Sequence, residues 1–194
     1  MLTKLLEERK LAKQKGNPVL RDESFKLLIE TALKINPKRI LEIGTNVGLS
    51  GIAMLLNVPT ATLTGIELDE DIATEAKLNY KKYGVDNRVN LFIGDAGEIV
   101  PMLNGEFDLI FLDGPKSHYP EYLPYIKNLL SKGGVLFTDN VLFFGYVLNG
   151  KKPPHKHATI INGLRKFLTE LENDKQLKTT LYEIEDGVCI TEKL

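Results

Sequence analysis

Residues 39–56, RILEIGTNVGLSGIAMLL, decide how this chain folds. The short apolar run RILEIG reads as a β-strand, and a glycine-containing loop joins it to GLSGIAMLL, whose spacing is helical. A strand that enters a helix through a tight loop is typical of α/β proteins, in which neighbouring strands run parallel. The stretch therefore predicts the first unit of an α/β fold.

The same alternation continues along the chain. Further predicted strands are ATLTGIE, RVNLFIGD, FDLIFLDG and GGVLFTDN, and the helical stretches DEDIATEAKLNYKKYG, AGEIVPML and YPEYLPYIKNLL separate them. This pattern indicates a parallel sheet with helices on both faces. A helix over residues 158–171 then precedes TTLYEIEDGVCIT, in which Asp186-Gly187 is a strong hairpin signal. We expect a mainly parallel sheet that ends in an antiparallel hairpin.

Two helices are predicted before the first strand. One runs from Leu2 to Lys15 and ends at Gly16-Asn17-Pro18, and the other runs from Asp22 to Lys34. No repeat, low-complexity tract or linker divides the chain. We therefore expect a single domain over residues 1–194, with N-terminal helices in 1–34 and the core in 38–194.

Composition places the chain among ordinary globular proteins. It has 194 residues, an apolar share of 43%, a charged share of 26% and a formal net charge of -1. This balance gives no sign of general nucleic-acid binding. Cys189 is the only cysteine, and the N-terminus lacks the apolar core of a signal peptide or membrane span. We expect a cytoplasmic protein with no membrane partner.

Acidic residues stand at the carboxyl end of each predicted parallel strand. In open α/β sheets these ends meet at one edge, where ligands bind. Each such residue alone is most simply a helix cap or a turn former, but several like charges in one cleft repel unless ligands or cations hold them. In strand order they are Glu42 followed by Gly44, Glu67, Asp95, Asp113, and Asp139 followed by Asn140.

The loop EIGTNVGLS narrows the class of ligand. Gly44 permits a tight turn, and Gly48 permits the next helix to begin close to a ligand. A dinucleotide fingerprint has a glycine where this chain has Asn46, which disfavours NAD. Glu67 lies about 20 residues beyond the loop and is placed to accept hydrogen bonds from ribose hydroxyls. An adenosine-containing cofactor is therefore favoured, although a glycine-rich turn of no special purpose remains the alternative for this loop alone.

Five motifs together resemble one protein family. They are LEIGTNVGLS, GIELDED, GDAGEIVPML, FLDGPKSHY and TDNVLFFG. They are similar to the class I, S-adenosylmethionine-dependent O-methyltransferases of the catechol and caffeoyl-coenzyme A type, and most to the bacterial branch that includes the tRNA 5-hydroxyuridine methyltransferase. The resemblance runs from about Pro18 to the C-terminus. It implies a Rossmann-like, seven-stranded methyltransferase sheet, which agrees with the predicted C-terminal hairpin.

The resemblance also implies a cofactor site for S-adenosylmethionine. Glu67 would bind the ribose, Asp95 and Ala96 would lie on the adenine side, and most of the remaining residues would surround the methionine part. The residues matched in this way are Leu20, Glu42, Gly44, Asn46, Ser50, Glu67, Asp95, Ala96 and Asp113.

A metal site is implied as well, because Asp113, Asp139 and Asn140 match the family's three ligands. The stretch Gly133 to Gly145, GGVLFTDNVLFFG, is nearly all apolar, so the carboxylate and amide in its middle need partners. Two carboxylates and an amide oxygen are hard ligands that suit Mg²⁺ or another divalent cation. A substrate with two neighbouring oxygens could chelate such a cation, which would lower the pKa of the hydroxyl to be methylated.

Lys116 matches the catalytic lysine of the family, with Asp113 beside it in the catalytic pair. It follows Asp113 by three residues on a loop at the cleft, where it could accept the proton of the acceptor hydroxyl. A solvated loop lysine is the alternative. The oxygen would then attack the methyl group in line, so the protein's main contribution is alignment, with no covalent enzyme intermediate.

The loop over residues 144–157 follows the metal ligands and would help to select the acceptor. Phe144 stands where the bacterial branch is expected to carry a basic residue, a departure that concerns the acceptor and not the cofactor. We expect the histidines of this loop, and His118, to be ordinary loop residues rather than metal ligands. A basic cluster in the loop could meet phosphates: Lys151, Lys152, His155, Lys156 and His157.

Three classes of function remain open. The first is a metal-dependent O-methyltransferase, whose acceptor is 5-hydroxyuridine in tRNA or a small catechol-like molecule. The resemblance and the basic loop favour tRNA, while the lack of net positive charge favours a small molecule. The second is an NAD-dependent enzyme, and the third is a cofactor-binding module without catalysis, against which the candidate metal ligands and Lys116 argue. The resemblance also implies a homodimer.

Overall fold

The computed structural model describes residues 2–14, 16, 18–149 and 152–194. Its strands are Arg39–Ile43 (β1), Thr62–Glu67 (β2), Val89–Ile93 (β3), Phe107–Leu112 (β4), Leu130–Asp139 (β5), Leu177–Tyr182 (β6) and Val188–Lys193 (β7). Within these residues they form one seven-stranded sheet in the order β3-β2-β1-β4-β5-β7-β6. Strands β1 to β5 run parallel, while β7 is antiparallel to both β5 and β6. The predicted mainly parallel sheet with an antiparallel C-terminal hairpin is confirmed.

Helices cover both faces of this sheet. Across the described residues they are Leu2–Gln14 (α1), Asp22–Ile35 (α2), Leu49–Asn57 (α3), Glu70–Tyr83 (α4), Ala96–Ile99 (α5), Tyr119–Leu129 (α6) and Ala158–Asn173 (α7). Helices α1 to α4 belong to one buried apolar cluster, and α5 to α7 belong to another. Successive strand residues such as Ile40 and Leu41 alternate between the two clusters, because a strand points neighbouring side chains to opposite faces. Burial on both faces explains the continuous apolar runs of the strands.

Element boundaries differ from the sequence prediction in two places. β5 begins at Leu130 instead of Gly133, because Leu130 pairs with Phe107 before an irregularity in the register. The loop between β6 and β7 spans residues 183–187, so Asp186-Gly187 forms only its end. The first helix is present as far as Gln14, while Lys15 and Asn17, at its predicted end, lie outside the described residues.

Strand order brings distant parts of the sequence to one edge of the sheet. β1 lies between β2 and β4, so the chain order reverses beside it, which is where open α/β sheets form a ligand crevice. At the far side of β5, Asp139 pairs with Val188 of the antiparallel β7. Because β7 runs antiparallel to β5, it begins where β5 ends, and the loop 183–187 before it lies next to the carboxyl end of β5.

The N-terminal helices pack on the core, since α1 and α2 share one apolar cluster with β1 and α3. Within the residues that the structure describes, no helix has the length and apolar character needed to span a bilayer. The cytoplasmic location, the homodimer and the division of the chain at residues 34 and 38 stay predictions.

Replacing Phe137 with alanine tests the central packing of the sheet. Its ring is fully buried in β5 and meets Phe111 edge to face, with ring centroids 5.7 Å apart. We expect Phe137→Ala to lower the free energy of unfolding by about 3–5 kcal/mol, because the truncation leaves a cavity. Phe92→Ala on the edge strand β3, where the side chain is 37% exposed, is the matched control and should cost less than about 1 kcal/mol. Urea unfolding measures both, and equal losses would contradict this packing.

Candidate active site

A cavity of about 590 Å³ opens at the carboxyl ends of the parallel strands. This volume suits a ligand of cofactor size. The predicted site residues that line it are Leu20, Gly44, Asn46, Ser50, Glu67, Asp95, Ala96, Asp113, Lys116, Asp139 and Asn140. Of the described residues proposed for the site, Glu42 is the exception. The fold thus gathers residues from six separate segments of the chain around one space.

The loop after β1 owes its shape to Gly44. This residue has a φ of +91°, and a Cβ added to it would lie 2.5 Å from the Asp113 carbonyl oxygen. Its amide donates to the Ile66 carbonyl at 3.0 Å, so the loop is held between the ends of β2 and β4. Gly48 answers a different need, since a Cβ there would lie 2.9 Å from the Tyr80 ring. Its missing side chain serves the packing of α3 on α4, and the approach of a ligand that the sequence suggested stays a prediction.

Glu67 and Asp95 are oriented by backbone amides. One Glu67 carboxylate oxygen accepts from the Asn46 amide at 2.7 Å, and the other accepts from the amides of the two residues that follow Glu67, at 2.9 and 3.1 Å. Asp95 accepts from the Gly97 amide at 2.6 Å and caps α5. Asp95 is therefore a helix cap and a cavity residue at once. Both carboxylates retain lone pairs that can accept hydrogen bonds from a ligand.

Glu42 lies apart from the cavity and is completely buried. Neither of its carboxylate oxygens has a hydrogen-bond partner among the described residues. Burial raises the pKa of Glu42 well above its usual range, and the negative charge of Asp113 raises it further. The structure gives this carboxyl no contact with the cavity that the resemblance assigned to it.

Asp113 and Asp139 bring two carboxylates to the ends of neighbouring strands. Although 26% of the Asp113 side chain is exposed, desolvation raises its pKa, and Lys116 offsets this in part from 3.5 Å away. Burial raises the pKa of Asp139 from 3.8 to about 7, and the charge of Asp113 adds to that rise. Two carboxylates that destabilise each other's charged form favour an added cation.

This donor set fits a divalent metal ion. Asn140 adds an amide oxygen next to Asp139, and its φ of 57° holds it in the left-handed conformation that asparagine tolerates. Throughout the part of the chain that is described, no group of three or more His, Cys, Asp or Glu could hold a metal. A site on Asp113 and Asp139 would therefore need a ligand of another kind, which Asn140 can supply. His118 pairs instead with Glu121, at 2.7 Å.

Two aromatic side chains line the cavity beyond Asn140. Phe143 and Phe144 both have positive φ, 44° and 55°, and their ring centroids are 5.3 Å apart with the planes nearly perpendicular. Phe144 is 71% exposed, which leaves an apolar ring at the cavity open to contact. Phe143 also meets the ring of His157, with centroids 5.3 Å apart.

The basic cluster predicted in the following loop is only partly placed. Lys152, His155 and Lys156 are exposed and do not line the cavity, while Lys151 lies outside the described residues. The cluster thus lies near the site, through the contact of His157 with Phe143, but outside it.

Sequence reasoning missed two arginines and an aspartate that line the cavity: Arg9, Arg21 and Asp186. Arg9 is only 4% exposed, and its guanidinium donates to the Leu20 carbonyl at 2.8 Å and to Asp22 at 3.2 Å. A charged residue in a polar helix gives no sign of burial. The sequence indicated only that Asp186 is a turn residue. Its carboxylate is buried because β7 lies beside β5, which the sequence pattern does not show.

Comparison with known proteins agrees with this geometry. The family model described as O-methyltransferase matches residues 3–194. A Dictyostelium discoideum protein named "Probable caffeoyl-CoA O-methyltransferase 3" is 30% identical over 89% of this chain and 74% of its own length. A catechol O-methyltransferase of Niastella koreensis is 32% identical over 76% of this chain and 67% of its own. The crystal structure of the O-methyltransferase TomG from Streptomyces achromogenes, in complex with SAM, is 26% identical, covers 97% of this chain and 88% of its own, and superposes with a TM-score of 0.85.

The raised pKa of Asp139 predicts how stability depends on pH when no metal is present. An acid whose pKa is about 7 in the folded state and near its ordinary value when unfolded binds more protons when folded between those values, so stability falls as pH rises from about 4 to about 7. Asp139→Asn removes this loss. In a chelator, we expect the variant to match the original protein at pH 4 and to exceed it at pH 8 by more than about 1 kcal/mol in urea unfolding. Parallel stability curves across this range would contradict the shift.

Proposed function

The chain belongs to the O-methyltransferase family, and on that premise we propose that it methylates a hydroxyl of an aromatic molecule with two adjacent oxygens, in a reaction that needs Mg²⁺. It is an S-adenosylmethionine-dependent O-methyltransferase of the caffeoyl-CoA and catechol type. It is therefore a methyltransferase and not an NAD-dependent enzyme. One observation carries the proposal: Asp113, Lys116, Asp139 and Asn140 line the same cavity as the loop that follows β1.

For the methyl donor, we assign the adenosine part to the ends of β2 and β3. The Glu67 carboxylate is held by three backbone amides, so its free lone pairs are fixed in direction and suit the ribose hydroxyls. Asp95 and Ala96, at the start of α5, would border the adenine. The remaining lining residues proposed for the methionine part are Leu20, Gly44, Asn46, Ser50 and Asp113.

For the metal, we assign Asp113, Asp139 and Asn140 as ligands. When bound there, Mg²⁺ would lower the pKa of an acceptor hydroxyl that it binds. Asp113 and Asp139 would hold the cation through their carboxylates, which the protein interior otherwise forces toward protonation. The Asn140 amide supplies an oxygen without adding a further negative charge to a crowded cleft.

Lys116 is placed to take the proton of the acceptor hydroxyl. Its amine lies 3.5 Å from Asp113 and lines the cavity, and 23% of its side chain is exposed. A lysine amine can act as a base when burial and a nearby cation favour its neutral form. The deprotonated oxygen then forms a bond to the methyl carbon of S-adenosylmethionine, the carbon–sulfur bond breaks, and its electron pair stays on sulfur. Holding oxygen and methyl at near-attack distance provides most of the rate.

The cavity favours a small aromatic acceptor. Phe143 and Phe144 present apolar rings beside Asn140, where a flat ring could stack while its oxygens face the metal ligands. The relatives named above carry caffeoyl-CoA and catechol in their names, and both are aromatic molecules with adjacent oxygens. Phe144 also supports this choice, because it puts an exposed apolar side chain at the place where a nucleic-acid contact would use a basic one.

5-Hydroxyuridine in tRNA is the second candidate acceptor. The exposed Lys152, His155 and Lys156 lie just outside the cavity and could contact phosphates of an RNA arm. A short arm needs only such a patch, despite the overall net charge of -1. The alternative is that these basic residues belong to an ordinary exposed loop with no role in binding.

Labelled methyl transfer decides between these acceptors. Purified protein is given S-adenosylmethionine with Mg²⁺, and a catechol, caffeoyl-CoA and tRNA containing 5-hydroxyuridine are offered in parallel, each with and without a chelator. We expect label on a small aromatic, and loss of transfer in the chelator. Label on tRNA alone would move the acceptor to RNA, and transfer that the chelator leaves unchanged would overturn the metal requirement.

Lys116→Met tests the proposed base. The change keeps much of the side-chain volume and removes the amine, so we expect kcat to fall by about 10²–10⁴-fold. The dissociation constant of S-adenosylmethionine, measured by calorimetry, should change by less than about twofold. Lys132→Met, an exposed lysine at the opposite end of β5 from Asp139, is the control and should retain full activity. Unchanged kcat in Lys116→Met would remove the assigned role.

A further inference from the structure

The loop between β6 and β7 contacts two parts of the chain at the active site that are far apart in sequence. Its last residues, Glu185, Asp186 and Gly187, lie beside the end of β5 because Asp139 pairs with Val188. They bond to the start of α2 and to the segment that follows Asn140. We call residues 185–187 the hairpin turn.

The first set of contacts fixes the segment after the proposed metal ligands. The amide of Val141 donates to the Gly187 carbonyl at 3.1 Å, and the amide of Leu142 donates to the Asp186 carbonyl at 2.9 Å. The Phe144 amide donates to the Asp186 carboxylate. Gly187 packs so closely on Leu142 that an added Cβ would lie 2.2 Å from its Cγ.

These bonds hold a strained stretch of backbone. Asn140, Phe143 and Phe144 all have φ between 44° and 57°, and each such residue costs on the order of 1 kcal/mol. Such conformations persist only where the surrounding structure over-determines them. The hairpin turn supplies that constraint for residues 140–144.

The second set of contacts caps α2. Arg21, at the cap position of that helix, offers no side-chain hydrogen bond. The Glu185 carboxylate takes its place: it accepts from the Ser24 amide at 3.0 Å, the Ser24 hydroxyl at 2.8 Å and the Glu23 amide at 3.2 Å. Desolvation opposes the charge, yet the bonds from Ser24 and Glu23 hold the pKa of Glu185 below its usual range. A carboxylate at a helix N-terminus also meets the positive end of the helix dipole.

Ser24 ties this cap to the protein interior, since it is 1% exposed at the start of α2. The chain just before α2, at Leu20 and Arg21, lines the cavity. The position of α2 therefore decides where this N-terminal wall of the cavity lies.

We propose that the hairpin turn positions the acceptor side of the active site, with Glu185 acting through the start of α2 and Asp186 acting through Phe144. This inference rests on the proposed function, because it assumes that Asp139, Asn140 and the two phenylalanines meet metal and acceptor. Glu185 touches no reacting atom and is a positioning residue. The bonds that hold Gly44, Glu67 and Asp95 do not involve the turn, since they lie among β1, β2 and α5.

Glu185→Ala is the principal test, and Glu183→Ala is its matched control. Both remove one carboxylate from the same loop, but Glu183 is exposed and lies outside the contacts described for the turn. Alanine and glutamate have similar backbone preferences, so Glu185→Ala removes the cap of α2 without changing the conformational preference at residue 185. Asp186→Ala removes the carboxylate that accepts from the Phe144 amide. Glu185→Gln, which keeps one acceptor oxygen, replaces Glu185→Ala if that variant does not fold.

Two readouts separate positioning from general destabilisation. In Glu185→Ala we expect KM for the acceptor to rise about tenfold, as for a lost charge-assisted hydrogen-bond set, while the dissociation constant of S-adenosylmethionine changes less than about twofold. Amide hydrogen exchange should speed up at residues 22–24 and 140–144 and stay unchanged at 44–50. Asp186→Ala should act on 140–144 alone, and Glu183→Ala on neither segment.

The outcomes are distinct. Equal exchange and equal acceptor KM in Glu185→Ala and Glu183→Ala would overturn the inference, as would equal acceleration across the whole sheet. If the original protein transfers no methyl group to any acceptor, the proposed function fails by itself, and local exchange at 22–24 and 140–144 still decides whether the turn holds both segments.

Discussion

The structure depends on the close approach of several acidic side chains at one edge of the parallel sheet. Strands β4 and β5 lie side by side, so the residues at their carboxyl ends share one edge of the sheet. In this chain those residues are Asp113, directly after β4, and Asp139, the last residue of β5. Asp113 and Asp139 lose water there, and their pKa values rise because the charged forms have too little compensation. Glu42, near the end of β1, adds a third buried carboxyl under the same pressure. Such an arrangement is costly for stability and is useful only where cations and hydrogen-bond donors arrive with ligands.

The two halves of the site are built in different ways. The methyl-donor half is local: a glycine turn after β1, a carboxylate after β2 and a helix cap after β3 each follow directly from their own strand. The acceptor half is assembled from residues about 140 and 186, which meet only in the folded chain. Its backbone carries positive φ at Asn140, Phe143 and Phe144, and the hairpin turn holds it. This division is consistent with a methyl-donor site built from short local motifs and an acceptor site whose specificity depends on tertiary contacts.

Most of the site residues predicted from the sequence line the cavity, because strand ends in a parallel sheet meet at one edge. Glu67 and Asp95 follow apolar runs too short for helices, and that pattern sufficed to bring them to the crevice. It did not predict Arg9, whose burial comes from α1 packing beside Leu20, or Asp186, whose carboxylate turns toward Phe144. It also did not predict that Tyr80 packs against Gly48, since a glycine in a loop does not say which side chain lies beside it.

By itself the sequence determined the α/β architecture, the antiparallel hairpin and the strand ends that meet at the crevice, because hydrophobic period and turn residues are local properties and the carboxyl ends of parallel strands share one edge. Only the tertiary structure decided that Glu42 is buried away from the cavity, that Glu185 caps α2 and that the turn beside β5 holds the segment carrying Phe143 and Phe144. Those outcomes depend on desolvation and on bonds between residues as far as 162 positions apart. A linear pattern cannot encode them, because each requires the whole sheet to be in place first.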